Sequence, residues 1–177
     1  MTSAAIRFCA PVFRAHNPEW AWDPVSGEGA RRHGGRFNPP GLAALYTALS
    51  PLTAIREASA FGRPMEPLTL CEYEVDCADI LDTTDPAACA AEAVVASDLA
   101  CPDWARRMYD GRPVPSQELA RHLIARGYAG IVVPSFARGA GPADRNLVFW
   151  DWGAELPHRV RVIDSQNRLP RDRASWS

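Results

Sequence analysis

Lysine is absent: all nineteen basic side chains among the 177 residues are arginine. Any anion site in this chain is therefore built from planar, permanently charged guanidinium forks, which suit two-point contact with phosphate. The five cysteines (Cys9, Cys71, Cys77, Cys89 and Cys101) are odd in number and include no C-x-x-C pair, and His16, His33, His122 and His158 are scattered. Such spacing supports neither a disulfide framework nor a zinc site, and leaves reduced, buried thiols as the expectation. No apolar run approaches the roughly 18–20 residues of a membrane helix. The first twelve residues contain no basic stretch followed by an apolar segment, so the expected location is the cytoplasm. G-x-G-x-x-G between a strand and a helix is also missing, as is G-x-S-x-G. These absences argue against a Rossmann cofactor site and a hydrolase nucleophile elbow. A net charge of −2 lacks the basic surplus of a general nucleic-acid binder.

What is present is the composition of an ordinary globular protein, 47% apolar and 23% charged. It predicts a single domain over residues 1–165 with a polar, mobile tail over 166–177. Strands are expected at Pro11–His16, Leu42–Thr47, Thr69–Val75, Ile131–Val133, Asn146–Trp150 and Arg159–Ile163. In Thr69–Val75 the alternation puts Cys71, Tyr73 and Val75 on one face. Ser50-Pro51 caps and starts a helix that Gly62 stops, with Pro51, Leu52, Ala54, Ile55, Ala58 and Phe61 on one apolar arc. Further helices are expected from Asp85-Pro86 to about Ala96, from Cys101-Pro102-Asp103 to Met108, and from a Ser116 cap over Gln117–Arg126. Gly27–Gly41 is too rich in glycine and proline for regular structure. Strands and helices mix without βαβ alternation, which predicts an α+β fold.

Several residues stand out against this frame. Arg31, Arg32 and Arg36 lie within six positions, among four glycines between 27 and 35. Exposed amides with guanidinium forks suit a diphosphate, although a solvated basic turn has the same composition. Arg14, on a strand, either faces inward to an anionic or carbonyl partner or lies on the surface. Tyr46 offers a stacking platform for a flat ring or a core side chain. Glu57 sits beside the apolar arc, near Ala54 and Phe61, with no charged partner at i±4; it either meets a cleft or is solvated. Ser135 follows Pro134 at the end of an apolar strand, where an orienting hydroxyl fits better than a nucleophile. Asn146 opens the next strand and can join it.

Four stretches, Val12-Phe13-Arg14-Ala15-His16, Gly34-Gly35-Arg36-Phe37-Asn38-Pro39-Pro40-Gly41, Leu45 to Pro51 with Glu57, and Val133-Pro134-Ser135 with Asn146-Leu147-Val148, resemble the RES domain. That domain is the toxin half of RES–Xre toxin–antitoxin pairs, and the chain is most similar to its ParT-type mono-ADP-ribosyltransferase members. The resemblance implies a fold like that of ADP-ribosyltransferase toxins, with a mixed, split β-sheet core, flanking helices and an NAD cleft. It implies NAD+ as substrate without a metal, cleavage at the nicotinamide–ribose bond, and transfer of ADP-ribose to a protein. An NAD+ glycohydrolase or phosphorylase that depletes NAD+ is the alternative, and a non-catalytic nucleotide- or RNA-binding module a further one. The Arg, Glu and Ser of the family name match Glu57, Ser135 and either Arg14 or a loop arginine, of which Arg31 is the catalytic candidate. Arg14, Arg31, Arg32 and Arg36 would hold the diphosphate, Tyr46 would pack on nicotinamide, and Asn146 would help position the ribose or the carboxylate. The implied partners are an Xre-type helix-turn-helix antitoxin that blocks the cleft and a protein target, with no membrane and no direct nucleic-acid contact.

Overall fold

The computed structural model describes residues 4–59 and 64–174; Phe61, Gly62 and the last three residues of the tail lie outside these. In chain order the strands are β1 (Ala5–Cys9), β2 (Val12–His16), β3 (Leu45–Ala48), β4 (Thr69–Asp82), β5 (Gly130–Pro134), β6 (Arg145–Phe149) and β7 (His158–Val162). The helices are α1 (Glu28–His33), α2 (Pro51–Ala58), α3 (Pro86–Ala91), α4 (Ala96–Ala100), α5 (Trp104–Tyr109) and α6 (Pro115–Ala125).

One long strand organises the molecule. The alternation that starts at Thr69 continues to Cys77, and the strand to Asp82: Cys71, Tyr73, Val75 and Cys77 are buried, while Leu70, Glu72 and Glu74 face out. The first half of β4 pairs with β2 on one edge and β7 on the other. Its second half pairs with β1 and, in parallel, with β5. Asp79, at positive φ, marks the irregularity between the halves, as a bulge does where a strand must bend. The pairings β4–β2–β3–β6–β5–β4 return on themselves, giving one mixed sheet flanked by helices. This is the α+β fold expected, with the split carried by the two halves of β4.

The weakest link of the circuit is β2 with β3, which share one register pair, Phe13↔Ala48. Beyond it the strands part, and α2 lies against the opening. Elsewhere the core is continuous. Val12, Leu45, Tyr73, Leu147 and Phe149 fill one cluster; Leu81, Leu123, Tyr128, Ile131 and Val148 fill the other, between the sheet and α6.

Some local expectations change. Gly27–Gly41 contains a helical turn, α1, closed by Arg31 N–H to Gly27 and Gly34 N–H to Ala30, with Glu28 pairing with Arg31 and Arg32 at i+3 and i+4 on its surface. On α2 the buried face is Thr53 and Ala54, and Leu52 is 71% exposed. The Ser50 cap holds as expected, accepting from Thr53 N–H at 3.1 Å. Ser116 caps nothing: α6 starts earlier, on Pro115, and Ser116 is wholly buried. The Asp85-Pro86 helix stops at Ala91 and resumes as α4, with Ala93 at positive φ between them. Cys71, Cys77 and Cys101 are buried free thiols, Cys89 is half-buried and Cys9 exposed. The tail is anchored as far as Arg173, which bonds Glu19 at 2.7 Å and stacks on Trp20.

Candidate active site

Where β2 and β3 part, two cavities meet. One, of about 250 Å³, is lined by Phe13, Ala48, Ala54 and Ala58 beneath α2. The other, of about 460 Å³, is lined by Gly34, Gly35, Arg36, Trp104 and Phe136. Arg14, Tyr46, Glu57 and Asn146 belong to both, so they form the waist of a single cleft.

Glu57 occupies the last turn of α2, and its partners come from across the sheet. Ser135 Oγ and Asn146 Nδ2 both donate to Oε1, each at 2.5 Å. Sequence offered no partner because both lie more than 75 residues away. Two donors on one oxygen fix the carboxylate's direction and leave Oε2 without a hydrogen bond among the described residues. The Ser135 hydroxyl is also the acceptor of the Ala137 N–H at 3.3 Å, so its proton is committed to Glu57 and its oxygen to the backbone, the arrangement of an orienting group.

Arg36 faces Glu57 across the cleft from an unusually constrained turn. Its Nη1 donates to the carbonyls of Ala100 and Cys101, the latter at 3.0 Å. The guanidinium packs over Phe136 at 4.6 Å and near Trp104 at 6.0 Å, a cation–π arrangement. Burial pulls its pKa down, and the charge of Glu57 is among those opposing that shift. The turn itself is gripped from outside. Gln117 Nε2 donates to the carbonyls of Gly35 (2.8 Å) and Asn38 (3.2 Å), Ser116 Oγ to that of Arg36 (2.7 Å), and Trp150 Nε1 to that of Phe37 (2.9 Å). Four successive carbonyls are thus drawn away from the cleft. Gly35 must be glycine, because a Cβ there would run into the Tyr46 hydroxyl.

Tyr46 has its hydroxyl pinned in this turn: it donates to Asn38 Oδ1 at 2.7 Å and accepts from Phe37 N–H at 3.0 Å. Burial pushes its pKa far above the usual tyrosine value, so it stays neutral. Asn38, fully buried, also donates to the carbonyls of Ala30 and Leu42 at 2.8 Å each. Arg14 points inward, its Nη1 donating to the carbonyls of Pro24 (3.0 Å) and Ser26 (3.1 Å). These satisfy its charge and tie the 24–26 loop to the cleft.

The structure thus gathers Arg14, Arg36, Tyr46, Glu57, Ser135 and Asn146. It does not bring Arg31 and Arg32 with them: both stand on the exposed side of α1 against Glu28, outside either cavity lining. Sequence reasoning left Asn38 without a role although it lies within the glycine-rich block. It passed over Gln117, Trp150, Trp104 and Phe136, which no local pattern distinguishes from core residues. No cluster of His, Cys, Asp or Glu able to hold a metal occurs among the described residues, and no described helix is long and apolar enough to cross a membrane.

The RES domain family model matches residues 11–172. The NAD(+) phosphorylases MbcT of Mycobacterium tuberculosis and Mycobacterium bovis are each 32% identical to this chain over 136 residues, covering 71% of it and 73% of their own length. Among solved structures, the crystal structure of the M. tuberculosis MbcT–MbcA toxin–antitoxin complex aligns with a TM-score of 0.60 and 25% identity, over 90% of this chain and 84% of that one. With the family match spanning nearly the whole sequence and the cleft built from the stretches that carry it, this chain belongs to the RES-domain family.

Proposed function

We propose that this chain is a toxin that cleaves NAD+ at the nicotinamide–ribose bond with inorganic phosphate as acceptor. The observation that carries the reading is Glu57, its Oε1 held by Ser135 and Asn146 at the waist of a cleft flanked by Arg14 and Arg36. The description of the MbcT relatives as NAD(+) phosphorylases favours phosphate over the protein acceptor expected from sequence. The solved relative in complex with its antitoxin supports an antitoxin partner over this cleft, for which the Xre type remains the proposal. NAD+ as substrate fits action in the cytoplasm.

The chemistry suits this donor set. Nicotinamide leaves NAD+ as a neutral base, taking the electrons of the C–N bond, so the two-carboxylate arrangement of ordinary glycosidases is unnecessary. An ionised Glu57 stabilises the oxocarbenium character of the ribose and binds a ribose hydroxyl. A phosphate oxygen then forms the new bond to the anomeric carbon, giving ADP-ribose 1″-phosphate. Arg36, with Nε and Nη2 outside its carbonyl contacts, and Arg14 supply guanidinium donors for the diphosphate. The ring of Tyr46, its hydroxyl engaged elsewhere, provides a face for nicotinamide.

The test is nicotinamide release from NAD+ with and without phosphate, with products read by phosphorus NMR. Expected are phosphate-dependent release, ADP-ribose 1″-phosphate as product, and a loss of about a hundredfold or more in Glu57→Gln with NAD+ binding kept. Near wild-type turnover in Glu57→Gln overturns the role of Glu57. Free ADP-ribose as product makes the acceptor water, and label appearing on a protein band makes it protein. NAD+ left intact, with binding that falls steeply with salt, returns the chain to a non-catalytic module.

A further inference from the structure

Glu57 lies on an eight-residue helix, too short to hold its own position. Its donors, Ser135 and Asn146, come from other elements, and one residue across the cleft ties those elements to α2. Asp144 stands immediately before β6, two positions ahead of Asn146. Its Oδ1 accepts from Thr53 Oγ1 at 2.5 Å, and Thr53 is wholly buried one turn before Glu57 on the same face of α2. Its Oδ2 accepts from Gly141 N–H at 2.7 Å and lies 2.7 Å from Arg56 Nη1, a close charge contact without the alignment of a hydrogen bond. Its backbone carbonyl accepts from Ser135 N–H at 2.8 Å. One residue therefore joins the helix bearing Glu57, the loop bearing Ser135 and the strand bearing Asn146.

We infer that Asp144 is the positioning residue of the site, setting the Glu57 carboxylate against its two donors without touching substrate. The inference rests on the reading that Glu57 does the chemistry. The Thr53 hydroxyl and the Gly141 N–H, aided by Arg56, hold the Asp144 carboxyl below the usual range, so the clamp is charged at neutral pH. In Asp144→Asn one oxygen becomes an amide that faces the Gly141 N–H and the Arg56 guanidinium, donor against donor. Flipping the amide lets Thr53 Oγ1 accept, its proton turned to Ser50 Oγ 2.7 Å away, but the neutral side chain gives up the charge contact with Arg56 and the charge-assisted bonds to Thr53 and Gly141. Displacing a catalytic group by an ångström costs on the order of a hundredfold, and here the clamp loosens rather than vanishes.

The experiment is steady-state kinetics of the full chain with NAD+ and phosphate. For Asp144→Asn the expected result is a kcat lower by about thirtyfold with KM for NAD+ within about threefold. Melting curves on the same samples separate this loss from a loss of folded protein. Arg56→Gln removes one arm only and should lower kcat by about fivefold; it decides the matter if Asp144→Asn shows no cooperative melt. Wild-type kcat or a loss confined to KM overturns the inference. Wild-type protein that consumes no NAD+ overturns the functional reading instead. In that event a crystal structure of Asp144→Asn decides the positioning alone. A Glu57–Asn146 separation beyond hydrogen-bond range supports it, and an unchanged 2.5 Å contact overturns it.

Discussion

Arg31 and Arg32 on α1 take Glu28 as their partner, three and four residues back, at 2.6 and 2.7 Å, with side chains 48% and 59% exposed. Arg36, a few positions on, is half-buried between Phe136 and Trp104 and bonds to carbonyls 64 and 65 residues away. The same residue type in the same glycine-rich block thus serves two ends. Where a carboxylate is available locally, the arginines build a helical turn on the surface. Where the chain turns back under α6 and Trp150, the guanidinium is brought into the cleft and fixed there. Proximity in sequence groups these arginines; only long-range packing separates them.

Replacing Arg36 is the strongest way to sharpen that contrast. Lysine keeps the charge but loses the planar fork that reaches two carbonyls and stacks on an aromatic face at once. The chain uses no lysine at any position. Arg36→Lys should lower stability by about 1–2 kcal/mol and raise KM for NAD+ by about tenfold or more. Urea unfolding and steady-state kinetics measure the two. Wild-type values in both would return Arg36 to the status of its surface neighbours.

How far the sequence foretells the site follows the same division. The Ser50 cap and the β4 alternation depend on neighbours within a few residues, and both could be read directly. α1 was hidden because Gly27, Gly29 and the prolines outweigh a pair of i+3 and i+4 ion contacts in any count of breakers. Glu57 was singled out by having no local partner, which is a weak signal for strong distant ones. Ser116 looked like a cap because serine before a helix usually is one; its hydroxyl bonds the Arg36 carbonyl 80 residues away. Asp144 could not be found at all, since a carboxylate in a Gly-Pro-Ala-Asp loop resembles any turn residue.

His16 extends the comparison to burial without a partner. It lies on β2 two residues from Arg14, is 8% exposed, and neither ring nitrogen has a hydrogen bond. Desolvation, with the nearby charge of Arg14, pulls its pKa down to about 4. The ring is neutral in the fold, while in the unfolded chain it takes a proton below about 6.5. Between those values the unfolded state binds the extra proton, so stability falls as pH falls from 6.5 towards 4, by up to about 3 kcal/mol. Urea midpoints taken from pH 7.5 to 4.5 should show that slope, and His16→Gln should flatten it. An equal slope in the variant means that other groups carry it.

The smallest effect is expected where the charge density is greatest. Exposed ion pairs three and four residues apart are screened by water and salt and give up side-chain entropy to form. The hydrogen bonds from Arg31 and Arg32 draw the Glu28 pKa down to about 2, so the pairs are fully formed at neutral pH and still contribute little. Arg31→Gln with Arg32→Gln should leave the melting temperature unresolved from wild type and turnover within about twofold. α1 itself would persist through the contacts at its C-terminal end, where Gly34 N–H reaches Ala30 and Asn38 donates to the same carbonyl. A tenfold loss of activity in the double variant, with the fold intact, would show that Arg31 or Arg32 leaves Glu28 to meet substrate. The catalytic arginine would then lie on the rim of the cleft, and the local pairing described above would be its resting position.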